Sequence, residues 1–379
     1  MGLPRKKYVK EDQVGVYHCF TRCVRRAFLC GQDPVTQRDY SHRKQWIVDR
    51  LRELAAIFAI EVCAYAVMDN HNHNILRTRP DIVAAWPDRE VASRWLTLFP
   101  HHARLKGTAG PPDEKDIAAL VDNPTRIAQL RKRLCSLSWF MGRLNEYIAR
   151  AANKEDKVKG RFWESRFKCT ALLDDAAITS CMVYVDLNPI RAGLAATPED
   201  SNFTSIQERI RAWNDENMKP ETTAALSGNN SSPASRDAKA PNSSALGSNP
   251  LPAETPNPLS GWLCPIQSGP KNLHLMQMTT EEYFDLVDRS RRLLVPDKRG
   301  AIDPHLVPIL LRIGTKPEAW IDTISRFDRK FRLVAGTISS LRNYARQLGR
   351  NWFAGISAAK LAFSERQQSE RSLRISHVN

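Results

Sequence analysis

The stretch Ile60–Arg79, IEVCAYAVMDNHNHNILRTR, reads as two strands joined by a tight turn. Alternation places Val62, Ala64, Ala66 and Met68 on one face and Cys63, Tyr65 and Val67 on the other. Both faces are mostly apolar, so the first strand is expected to be covered on both sides. Asp69-Asn70 are turn formers. The chain returns as His71-Asn72-His73-Asn74-Ile75-Leu76. Residues i and i+2 of a strand share a face, so His71 and His73 project side by side. Two parallel imidazoles on a rigid strand supply half of a divalent-metal site. For an arbitrary His-x-His, two hydrogen-bonded histidines at a strand end is the better reading; the buried flanking strands, which hold this pair rigidly, bring the metal reading level with it.

A chain of 379 residues can hold two domains with cores of their own. Its net charge is +15 and its pI about 9.6. That balance favours a polyanionic partner, nucleic acid or an acidic membrane surface. No run of eighteen apolar residues exists, so no membrane span is expected. The opening MGLPRKKYVKEDQ lacks an apolar signal core, and Lys6 stands where a myristoylation signal has Ser or Thr. The eight cysteines form no C-x-x-C pair, which fits buried thiols in a cytoplasmic protein rather than a zinc ribbon or disulfide framework.

Gly15–Val24 reads as the first strand, with Tyr17, Cys19, Thr21 and Cys23 on one face and Val16, His18, Phe20 and Arg22 on the other. His18 is left unassigned. Arg22, Arg25 and Arg26 suit either a solvated strand end or phosphate contact. Ser41 is the expected N-cap of a helix reaching Phe58. Short helices are expected over 82–86 and 89–99, then a loop over 101–116 holding a solvent-facing His101-His102 pair. Thr125–Ala152 has the periodicity of one long helix with a basic outer face. Asn153–Gly160 reads as a polar loop. Arg161, Trp163, Arg166 and Lys168 alternate with aromatics just before a strand that ends at Leu173, a pattern suited to single-stranded nucleic acid. Phe162, Trp163 and Phe167 also suit a core; at least one of them is expected there and at least one near substrate. Asp174 or Asp175 caps a helix through Asn188, ended by Pro189, on which Tyr184 and Asn188 share a face. A short helix over 199–213 closes this part.

Residues 214–260 are rich in Ser, Asn, Pro, Ala and Thr, the composition of a disordered linker. Thr279 and Glu282 form a capping box for a helix to Leu294. Further helices are expected over 307–313, 318–327 and 337–348. The expected organisation is a domain over 1–213, the linker over 214–260, a small helical, basic domain over 261–363 that is expected to add DNA-binding affinity through its tether, and a frayed tail over 364–379.

Four segments in fixed order, YHCFTRCVRR, YAVMDNHNHNIL, GRFWESRF and YVDLNPIRAGL, resemble the REP-associated tyrosine transposases, members of the HUH endonuclease group. They span about residues 15–200; the linker and C-terminal segment lie outside them. The resemblance implies an α+β, ferredoxin-like antiparallel sheet with helices packed on one face. The strand-helix-strand-strand-helix-strand order read from the sequence agrees with it. It implies that His71, His73 and Asn188 hold Mg2+ or Mn2+ and that Tyr184 is the nucleophile. Such an ion polarises the scissile phosphate, and the tyrosine forms a 5′-phosphotyrosine while freeing a 3′-hydroxyl. The implied partner is single-stranded DNA carrying hairpins from repetitive extragenic palindromes. A monomer or homodimer associated with the bacterial nucleoid is expected. Asn72 and Asn74 stand where the family has apolar residues, and Asp69 where it commonly has proline. The rival expectations are a domesticated protein that binds DNA hairpins without cutting and an RNA-binding regulator.

Overall fold

The computed structural model describes residues 4–34, 36–99, 111–217, 261–267, 275–294 and 303–364. Most of the linker, His101-His102 and the tail lie outside them.

Five strands make one sheet: β1 (Gly15–Arg22), β2 (Ile60–Val67), β3 (His71–Thr78), β4 (Lys168–Leu172) and the two-residue β5 (Val334–Ala335). Their order is β2-β3-β1-β4-β5. The first four pair antiparallel, and β5 runs parallel to β4. Helix α1 (His42–Ile57) joins β1 to β2. Between β3 and β4 lie α2 (Pro80–Ala85), α3 (Asp88–Leu98), α4 (Glu114–Val121), α5 (Pro124–Leu134) and α6 (Leu137–Glu155). After β4 come α7 (Asp175–Asp186), α8 (Asn188–Arg191) and α9 (Ser205–Asn217). The C-terminal segment adds α10 (Thr280–Leu294), α11 (Leu306–Arg312), α12 (Trp320–Ser325), α13 (Phe327–Lys330), α14 (Ile338–Gln347) and α15 (Ile356–Ala362).

Each face of the sheet carries its own core. On one, Tyr17, Cys19, Tyr65 and Leu76 meet Leu51 and Leu54 of α1, Leu130 of α5 and Phe140 and Leu144 of α6. On the other, Val16, Ala64, Ala66 and Ile75 meet α7 and the C-terminal Trp320, Phe327 and Phe331. Helices therefore cover both faces, not one. The apolar face of the C-terminal helices is spent on α7 and the sheet. Backbone bonds add to the join, with Ala171 N donating to Leu333 O at 2.8 Å and Leu173 N to Ala335 O at 2.9 Å.

Local chemistry explains three departures from the expected elements. The helix over 125–152 is two helices, because Cys135 leaves helical geometry (φ −108°, ψ 2°) and Ser136 is extended. The second runs on to Glu155, into the expected loop. A bulge between Val62 and Ala64 shifts the β2 register, so Val62 joins Tyr65 and Val67 on the first core instead of Ala64 and Ala66. Ser41 accepts no capping hydrogen bond from α1. Asp174 does cap α7, accepting from Ala177 N at 3.0 Å. The Thr279–Glu282 box forms in both directions, at 2.9 and 3.2 Å. All eight cysteines are buried and none forms a disulfide. Among the described residues no helix is long and apolar enough to cross a membrane.

Candidate functional site

The turn at Asp69-Asn70 delivers β3 with His71 half-buried and His73 only 1% exposed. Their ring centroids are 5.0 Å apart on the face that also carries Ile75. His71 Nδ1 lies 2.7 Å from Asn70 Oδ1. His73 Nδ1 lies 2.8 Å from His18 Nε2. Donation by His71 Nδ1 to the Asn70 side-chain oxygen leaves the His71 Nε2 lone pair for a ligand, while His73 Nε2 meets Asn188. The ring environment keeps the imidazoles neutral. Burial, and then the Arg22 charge, push His71 down to about 4. Burial takes His18 to about 4, against the opposing pull of Asp328. Burial and the two neighbouring rings hold His73 well below its ordinary range.

Leu187 interrupts the helix expected to carry Tyr184 and Asn188 together, and α8 starts at Asn188 with Pro189 in its first turn. Asn188 is therefore the first residue of a new turn, yet it still reaches the site. Its Nδ2 lies 3.1 Å from His73 Nε2. A half-turn of the amide would present Oδ1 to the same point. Tyr184 on α7 stands edge-on to His73, with centroids 5.5 Å apart, and to His18 at 6.1 Å. Its ring is covered by Phe327 at 6.1 Å and by the Arg191 guanidinium at 4.7 Å, leaving Tyr184 3% exposed. Burial, then the Asp328 charge, raise its hydroxyl pKa. Arg191 is held in turn by Ser325 O at 2.5 Å. Asp186 anchors the end of α7, accepting from Ser205 Oγ at 2.6 Å and Tyr283 Oη at 2.5 Å.

His71, His73, Asn188 and Tyr184 thus come together from β3, α7 and α8. The sequence reading missed His18, Arg191, Phe327 and Asp328. Only His18 left a signal: alternation had set it on the face of Phe20, and Phe20 pairs with His73 across the strands. Nothing in the chain order announces that residues near 328 reach this point.

The residues expected to touch nucleic acid divide. Arg22, Arg166 and Lys168 line a cleft of about 1250 Å3 that opens onto His18 and Phe20. Arg25, Arg26 and Arg161 are exposed but do not line it. Trp163 is half-buried against the first core, and its Nε1 donates to Asn145 O at 2.9 Å. Phe162 and Phe167 are core residues.

Among the described residues no group of three His, Cys, Asp or Glu side chains is placed to hold a metal ion. A bound ion would depend on two imidazoles and the Asn188 amide. Neutral histidines with oriented Nε2 atoms fit such an ion.

No family model and no curated protein matches the sequence. A solved structure of a REP-associated tyrosine transposase bound to a REP hairpin aligns with 61% of this chain and 96% of its own. Its TM-score is 0.33 and its identity 14%. A likeness at that level decides nothing about fold or function.

Proposed function

We propose that the protein is a single-strand DNA endonuclease and strand transferase, acting at hairpin-bearing repetitive palindromes through Tyr184. The observation that carries this is the convergence of His71, His73, Asn188 and Tyr184 on one point of the sheet face. The order β2-β3-β1-β4, all antiparallel, with helices after β1 and after β3, supports a ferredoxin-like core of the HUH kind. The basic cleft beside the site supports a polyanionic substrate.

His71 Nε2, His73 Nε2 and Asn188 Oδ1 would hold Mg2+ or Mn2+. Such an ion supplies charge stabilisation to the scissile phosphate. The chain's own groups do the rest. Tyr184 Oη attacks phosphorus, the P–O3′ bond breaks, and a 5′-phosphotyrosine forms. The departing 3′ oxygen keeps the electron pair of the broken bond and leaves as a hydroxyl with the proton the tyrosine gives up. Burial and the Asp328 charge raise the hydroxyl pKa, which favours the protonated tyrosine in the free protein. Arg191, stacked on the tyrosine ring, lies where it can offset negative charge as it develops.

The test is covalent capture. Labelled hairpin-bearing single-stranded DNA is incubated with the parent and with Tyr184→Phe, with Mn2+ or with chelator. A denaturation-resistant adduct that needs both the metal and Tyr184 is expected. A specific observation favours a second reading, the non-cleaving hairpin binder: Phe327 and Arg191 cover the tyrosine almost completely. Tight hairpin binding without any adduct would establish that reading instead.

A further inference from the structure

The cleft beside the histidines is built from two parts of the chain far apart in sequence. Phe20, Arg22, Arg166 and Lys168 come from the strands and the loop before β4, while Arg329 and Arg332 come from the C-terminal segment. Seven cationic side chains and a single carboxylate, Asp328, line it. Its volume of about 1250 Å3 exceeds the roughly 300–1,000 Å3 of a small-ligand pocket.

Two of these cations are arranged around an aromatic ring. The Arg22 guanidinium lies 4.9 Å from the Phe20 centroid and Lys168 Nζ 5.7 Å from it. Phe20 itself touches His73, with centroids 4.9 Å apart. A flat ring beside positive charge is the combination that accepts a stacked base and its phosphate. Arg5 is already committed, donating to Phe167 O at 2.5 Å. Arg22, Arg166, Lys168, Arg329 and Arg332 form no ion pair among the described residues. A converging set of cations with one carboxylate among them repels itself unless a further anion is supplied.

The position of the C-terminal pair is fixed. Thr170 Oγ1 donates to Arg332 O at 2.9 Å, and the next residues are bonded to β4 as a fifth strand. Arg332 therefore stands at the edge of the sheet, and Arg329 on α13, which Phe327 packs into the second core; neither is on a tethered module.

We propose that this cleft is the track of the single DNA strand, and that Arg329 and Arg332 of the C-terminal segment contact its phosphates beside the histidine–tyrosine site. This rests on reading the protein as a single-strand DNA enzyme. The C-terminal segment then completes the substrate groove in place of adding affinity from a distance.

The experiment compares the full-length parent, Arg329→Ala/Arg332→Ala, and the control Arg342→Ala/Arg346→Ala, which removes the same charge from the same segment outside the cleft. Binding of a labelled oligothymidylate is followed by anisotropy across a salt series, with thermal unfolding to confirm that the fold is kept. Each lost phosphate contact should reduce the slope of log K against log salt by about 0.7. The cleft variant should therefore lose about 1.4 in slope and the control nothing. Equal slopes for all three, or equal losses in both variants, overturn the proposal. So does tighter binding of the matching oligouridylate, since that makes RNA the ligand. The covalent-capture assay is read separately. A parent that forms no adduct, yet whose slope depends on Arg329 and Arg332, retains the track and loses the cleavage reading.

Discussion

Asn72 and Asn74 alternate with the site histidines and point to the opposite face, into the first core. They are 1% and 0% exposed. Neither polar atom of the Asn74 amide finds a hydrogen-bond partner among the described residues, and the Asn72 Oδ1 finds none. Thr21, opposite Asn72 on β1, buries an unpartnered hydroxyl beside them. An unsatisfied buried polar group costs about 1–3 kcal/mol. Asn74→Val keeps a strand-compatible side chain and removes the amide, so it should stabilise the protein by about 1–3 kcal/mol in urea unfolding. Because Asn74 does not face the site, adduct formation should not change. A destabilised Asn74→Val would mean that the amide has a partner, such as an enclosed water. The alternation that set two asparagines behind two histidines was fully legible in the sequence, because a strand has only two faces. His18 was not assigned, since a lone histidine on an apolar face carries no mark of the ring it will meet.

The link between α1 and α6 illustrates what helical periodicity hides. Arg43, in the first turn of α1, is fully buried. Its Nε donates to Glu155 Oε2 at 2.7 Å and its Nη2 to Asp156 Oδ1 at 2.5 Å, both at the end of α6. The same guanidinium reaches Leu29 O at 3.2 Å. The apolar stripes of both helices could be read directly, but a buried arginine between their ends could not. Nor could the break at Cys135-Ser136, since apolar spacing continues through it. Burial raises the Glu155 pKa, but hydrogen bonds from Arg43 and His42 outweigh it and hold the carboxyl below its ordinary value. A carboxyl whose pKa is lowered by folding gives stability that is present above its unfolded value, near 4.5, and is lost as pH falls through the folded value. The parent should therefore lose stability as pH drops below about 4.5, and Arg43→Ala should lose less over the same range. At neutral pH Arg43→Ala should cost about 3 kcal/mol, the low end for a broken buried pair because both carboxylates still reach water. Denaturant unfolding at pH 7 and at pH 3.5 measures both effects. An unchanged pH dependence would remove Arg43 as the group that holds Glu155 down.

At the scale of the molecule, the C-terminal segment is where a sequence reading says least. Its helices were legible from spacing and caps, but an apolar stripe does not name the surface it will cover. Its polar, Ser- and Asn-rich approach suggested a tethered module, whereas Trp320, Phe327 and Phe331 share one core with Met182, Val183 and Tyr184 of α7. Asp174 makes the same join by hydrogen bonding: while capping α7, it also accepts from Thr337 N at 2.7 Å, at the start of α14. Each large apolar side chain fully buried contributes about 1.5–3 kcal/mol, and a domain is stable by only about 5–15 kcal/mol in total. Removing residues 261–379 uncovers the apolar side of α7 and opens the β4 edge, a loss larger than that margin. The truncated chain should therefore show no cooperative thermal transition and should lose its near-ultraviolet circular dichroism. Its failure to bind DNA would then report unfolding, which is why point substitutions in the cleft are the cleaner probe of the substrate groove. A fragment ending at Asn217 that unfolds cooperatively within a few degrees of the parent would show that the sheet and α7 hold together without this cover.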